Sequence, residues 1–135
     1  MMDTNYLCEQ KLKRENPQLH KRVADSVVCV ERMLVKYQNI FPTYTDHTAL
    51  HSINIIDFCN RLIGKNIDLM NADEIYVLLM GAYLHDSGMG ITMSDYENFR
   101  KKIDFGDYFD THDQENIPDI IRDFHQEFSG EYIKK

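Results

Sequence analysis

The sequence predicts an all-α fold, a bundle of about five helices. Three observations carry that reading. Apolar residues recur at spacings of three and four along most of the chain, the period of one helix face. Only three prolines and six glycines punctuate 135 residues, too few for a turn-rich β fold. No run alternates apolar and polar residues as a half-buried strand does.

Residues 1–15 are polar and read as a loosely held N-terminal segment, with the domain proper over 16–135. Pro17 suits a first helical turn, where its missing N–H costs nothing. Val23, Val27, Val30, Leu34 and Tyr37 then form one apolar stripe ending near Asn39, and Phe41-Pro42 breaks the helix. Thr43 to Asp46 make a connector, and Thr45 or Asp46 can cap a second helix carrying His47, Leu50, His51, Ile55, Phe58, Cys59 and Leu62. Gly64 stops it. Asn71 or Asp73 caps a third helix from Glu74 to about His85, apolar on every side and therefore expected to be the central buried element. A peripheral helix over 93–103 presents Tyr96, Phe99 and Ile103. Residues 104–116 read as an exposed acidic loop, and Pro118 opens a last helix running to Lys135.

Composition narrows the function. The hydrophobic fraction is 43% and the charged fraction 27%, values of a globular domain with a core. A net charge of −7 argues against nucleic acid as the main partner, because phosphate backbones are bound by clustered cations. No apolar run approaches the roughly 20 residues that span a bilayer. The first 16 residues lack the apolar core of a secretory signal, and Cys8, Cys29 and Cys59 show no CxxC pairing. The expectation is a cytoplasmic protein with reduced thiols.

Three histidine segments can carry chemistry. Leu84-His85-Asp86-Ser87-Gly88 places an aspartate at the C-terminal end of a very apolar helix, where both desolvation and the helix dipole oppose a negative charge. A divalent cation removes both objections, with His85 as a neutral nitrogen ligand. A turn-capping Asp86 beside a buried, hydrogen-bonded His85 fits the dipeptide as well. His47 and His51 lie four residues apart, about 40° around a helix, hence on one face. Thr48 stands where an HExxH metalloprotease needs its glutamate, so that chemistry is excluded. His51 shares a face with Ile55 and Leu62 and is read as inward-pointing. His125 sits among Ile121, Phe124 and Phe128 on the last helix, as a core histidine or as a further ligand.

The order His51-Ser52, then Ala82-Tyr83-Leu84-His85-Asp86-Ser87-Gly88-Met89, resembles the HD superfamily of metal-dependent phosphohydrolases. The stretch around Tyr44 to Ile56 is similar to that family's first-histidine helix. Ser87 replaces the usual apolar residue and Met89 the common lysine. His125-Gln126-Glu127 is similar to a later histidine motif of HD-GYP phosphodiesterases, with Gln126 in place of a histidine and no GYP following. The resemblance covers about residues 40–135 and is closer to HD domains at the N-terminus of larger bacterial proteins, some joined to an Hsp90-like ATPase module, than to the HD-GYP subfamily.

The resemblance implies a metal-dependent phosphohydrolase acting on a nucleotide or other small-molecule phosphoester through a metal-bound hydroxide. The metal would be Mn, Fe, Zn, Mg, Co or Ni, as one ion or two. His51, His85 and Asp86 would be ligands, Asp86 the bridging and catalytic carboxylate, and His125 a ligand of a second metal, with His47 and His112 further candidates. The family's ligand set usually ends in an aspartate on a later helix. The chain stops ten residues after His125, and Asp113, Asp119 and Asp123 stand in no matching motif. The expectation is therefore a domain truncated at its C-terminus, weak in catalysis by itself and partnered by a C-terminal domain. The rival is a catalytically degenerate HD domain serving as a helical sensor or interaction module.

Overall fold

The structure is a computed structural model that describes residues 6–36, 41 and 49–135. No strand occurs among the described residues, which form eight α-helices and two 3-10 turns. The helices are α1 (Leu7–Glu15), α2 (Pro17–Leu34), α3 (Ala49–Ile63), α4 (Ala72–Leu84), α5 (Met93–Phe99), α6 (Tyr108–Thr111), α7 (Ile117–Asp123) and α8 (His125–Lys134). The all-α reading holds. The count of about five is low, because one helix precedes Pro17, one lies in the acidic loop and the last helix is two.

The N-terminal segment is the first correction. Leu7–Glu15 is helical, and Cys8 and Leu12 are fully buried in the main core. Its polar appearance misleads because polar groups are buried with partners. Asn60 accepts the Cys8 N–H at 2.9 Å, and Lys11 Nζ reaches the Ile67 carbonyl at 2.9 Å. Asn16 ends α1 and caps α2, its side chain accepting the Leu19 N–H, with Pro17 in the first turn as expected. Val23, Val27, Val30 and Leu34 are all buried. Tyr37 and Asn39 lie outside the described residues.

Three hydrophobic clusters result among the described residues, the smallest of them Val30, Leu34 and Leu84. The first joins Cys8 and Leu12 of α1, Val23 and Val27 of α2, Ile56 of α3, and Ile75, Leu79 and Tyr83 of α4. The second joins Phe41, Met89, Ile91, Tyr96, Phe99, Ile120, Ile121 and Phe128. Helix α4 is set by a complete capping box. Asn71 accepts the Glu74 N–H at 2.9 Å, and Glu74 accepts the Asn71 N–H at 2.8 Å. It is not buried all round: Val77 is 68% exposed and Gly81 also faces outward. The inward face of α3 is corrected too. Ser52, Ile56 and Asn60 are buried, whereas Leu50, Phe58 and Leu62 are exposed.

In the acidic loop, Phe105, Tyr108 and Phe109 pack against the second cluster, with Phe105 edge-on to Phe124 at 4.8 Å. That packing accompanies the break between α7 and α8 at Phe124, whose φ of −116° and ψ of 24° are non-helical. The turn Ser87–Gly90 links the two larger clusters and is buried throughout. A Cβ on Gly88 would lie 2.4 Å from the His125 carbonyl oxygen and 2.6 Å from the Ser129 nitrogen, so only glycine lets α8 approach this closely. Gly90 does the same against the Met33 carbonyl, at 2.9 Å. The two glycines thus do more than end a helix.

Candidate metal centre

Asp86 stands where α4 leaves the first cluster and the 3-10 turn enters the second. It is 3% exposed. Three imidazoles from three helical segments face its carboxylate. His85 Nε2 lies 3.0 Å from Oδ2, His51 Nε2 3.7 Å from the same oxygen, and His125 Nε2 3.8 Å from Oδ1. The His51 and His85 rings stand 5.4 Å apart. One ligand atom each from His51, His85 and Asp86 falls within 4.8 Å of the others, a group able to bind a metal ion.

Two of these imidazoles are oriented by the same device. His85 follows the last residue of α4, and its Nδ1 is 2.8 Å from the carbonyl oxygen of Ala82, three residues back. His125 opens α8 just past the break, and its Nδ1 is 2.7 Å from the carbonyl oxygen of Arg122, again three residues back. A carbonyl only accepts, so both Nδ1 atoms carry the proton and both Nε2 atoms present a lone pair to Asp86 when neutral. Helix ends leave carbonyls without intrahelical partners, which explains why both histidines sit at helix discontinuities. The break at Phe124 therefore aims His125 as well as bending the chain.

A carboxylate oxygen and an imidazole lone pair 3.0 Å apart repel unless a cation lies between them, either a proton or a metal. The hydrogen bond to Asp86 accordingly holds the His85 pKa above its ordinary value, against the opposing pull of burial. Imidazole nitrogen and carboxylate oxygen form the donor set that first-row divalent ions prefer, so the residues present fit a metal. The two oxygens of Asp86 face different histidines, an arrangement suited to a carboxylate shared between two cations.

Ser129 supports the centre and is not singled out by the sequence. Its Oγ accepts the Gly88 N–H at 2.7 Å and donates to the His85 carbonyl at 2.8 Å, tying α8 to the His-Asp turn from both sides. The available signal is its position one turn after His125, on the same helix face. Ser87 is fully buried and its hydroxyl meets no hydrogen-bond partner, an environment made for the apolar residue it replaces.

The other candidates lie elsewhere. His47 is outside the described residues. His112 is exposed, stacked on Tyr108 at 4.0 Å and bonded through Nδ1 to the Tyr108 carbonyl and the Thr111 hydroxyl, and it is not among the histidines facing Asp86. Asp123 accepts the Tyr108 hydroxyl at 2.8 Å and pairs with Arg122. Asp119 pairs with Arg122, and Asp113 accepts the Glu115 N–H. Among the described residues the metal-capable group therefore contains one carboxylate, that of Asp86.

An all-α fold in which a helix-terminal His-Asp pair meets histidines from two other helices defines an HD-type domain. Residues 41–135 match the model of the HD-CE family, and the chain belongs to that family. Helices α1 and α2 precede the matched region, although they supply nearly half of the first hydrophobic cluster. The chain matches none of the curated proteins and none of the solved structures with which it was compared. No helix among the described residues is long and apolar enough to cross a membrane.

Proposed function

We propose that this domain is a metal-dependent phosphohydrolase acting on small phosphoesters. The observation that carries the reading is the encirclement of buried Asp86 by three imidazole Nε2 atoms, two of them preset by Nδ1 donation to backbone carbonyls. His51, His85 and Asp86 would hold one divalent ion, and His125 with the second oxygen of Asp86 would serve another. Such an ion acidifies water near neutral pH and draws charge from a phosphate oxygen. The chain's own contribution is to fix the ligands. The carbonyls of Ala82 and Arg122 hold the rings, Ser129 holds the turn, and Asp86 itself is buried. An acidic protein needs that cationic centre to meet an anionic substrate.

One observation favours a second reading. Asp113, Asp119 and Asp123 are committed to other partners, so a single carboxylate faces the histidines among the described residues. Such a centre can hold metal in a non-catalytic helical module. Elemental analysis paired with hydrolysis of nucleotides and generic phosphoesters separates the two. The hydrolase reading expects metal and turnover to vanish together in Asp86→Ala. Metal without turnover, at every phosphoester offered, supports the module. Absence of both metal and turnover contradicts the hydrolase reading and favours the non-catalytic helical module.

A further inference from the structure

A groove of about 550 Å³ runs between α4 and α8, and two histidines of the centre, His85 and His125, line it. Val77, Met80, Gly81 and Leu84 of α4 and Gly130 and Ile133 of α8 line it, with Tyr76, Gln126 and Ser129 as its other polar lining residues. Among the described residues that line it, none is an aspartate, glutamate, lysine or arginine. Val77 is 68% and Ile133 55% exposed, so two large apolar side chains face this space without cover.

The two glycines are a second, separate observation. Each sits inside a helix, where glycine is less favourable than alanine. A Cβ at Gly81 or Gly130 would meet nothing within 4 Å, in contrast to Gly88 and Gly90. Helix packing does not require them. What they do is keep the groove wide where it approaches the centre.

We propose that this groove takes the apolar organic group of the substrate, so that the domain selects monoesters of alkyl or aryl alcohols over small polar phosphates. The proposal rests on the phosphohydrolase reading for the phosphate end, since the centre must neutralise the anion that the groove cannot. Among the described lining residues no lysine or arginine offers a counter-charge for a second or third phosphate. Its volume is in the range of small-molecule sites, and its lining matches their mainly apolar character with a few polar groups.

The test is calorimetric titration of the Zn²⁺-saturated protein with methylphosphonate, phenylphosphonate and hexylphosphonate, which bind without being hydrolysed. Hexylphosphonate is expected to bind at least tenfold more tightly than methylphosphonate, given about 0.8 kcal/mol for each fully buried methylene. Gly81→Leu, which fills the groove, and Val77→Ser, which makes its wall polar, should each remove most of that gain while metal content and methylphosphonate affinity stay unchanged. Equal affinity for the three phosphonates overturns the proposal, as does a chain-length gain that survives both substitutions. N-hexylacetamide, which has no phosphate, tests the groove without the centre. In chelator-treated protein it should shift the methyl resonances of Val77 and Ile133, and no shift there contradicts the groove whatever the metal result. A shift in protein that takes up no metal keeps the apolar subsite and removes the phosphohydrolase reading instead.

Discussion

Asp86 is a buried carboxylate at the negative end of a helix, a costly place for a charge that its hydrogen bond with His85 partly offsets. A divalent ion held by His51, His85 and Asp86 would offset that cost. Ser129 is the residue on which the local geometry depends most. Ser129→Ala leaves the Gly88 N–H and the His85 carbonyl without their partner, at about 1–3 kcal/mol. Urea denaturation should show that loss, and metal affinity should fall with it as the His-Asp turn loosens. Ser87→Ala has the opposite sign. It removes a fully buried hydroxyl that makes no hydrogen bond, so the same measurement should show a gain or no change. A loss of more than 1 kcal/mol there would mean that the hydroxyl has a partner.

At the scale of elements, glycines of two kinds are distinguishable. Gly88→Ala places a methyl group against the α8 backbone at the site itself, and should cost more than 2 kcal/mol together with metal affinity. Gly130→Ala meets open space inside a helix and should stabilise by about 0.4–1 kcal/mol. The two urea midpoints should move in opposite directions. Helix α1 is a structural member rather than a tail. Leu12→Ala should cost about 2–5 kcal/mol, and native Cys8 should resist alkylation at pH 8 until the protein unfolds. Burial, helped by the neighbouring Glu9 and Cys59, pushes the Cys8 thiol up to about 11, and only the thiolate reacts. Exposed Cys29 serves as the internal reference by mass spectrometry.

Across the whole molecule the His-Asp pair lies between the two larger hydrophobic clusters. Much of this was legible in the residues. The α2 stripe, the Asn71 cap and the His51, His85-Asp86 and His125 segments each follow from local pattern, and the structure brings those three histidines to one carboxylate. The misread parts share a physical cause, because tertiary context overrode local pattern. Helix α1 looks polar because Glu9 and Lys11 are buried in it. The face of α3 was misassigned because the inward residues include Ser52 and Asn60, while Leu50, Phe58 and Leu62 stay outside. The break at Phe124 has neither proline nor glycine, and accompanies contacts with Phe105 and Tyr108 from a distant loop. Val77 looks like core because an apolar side chain does not announce whether it faces a neighbour or a groove.

The central claim is that the three histidines and Asp86 form a divalent-metal centre. The most direct measurement is metal stoichiometry and affinity, by elemental analysis and calorimetry, for the wild type, Asp86→Ala, His85→Ala and His112→Ala. The account predicts binding in the wild type and in His112→Ala, and its loss in Asp86→Ala and His85→Ala with the helical circular dichroism retained. A wild type that binds no divalent ion, or an Asp86→Ala variant that binds it undiminished, would contradict it.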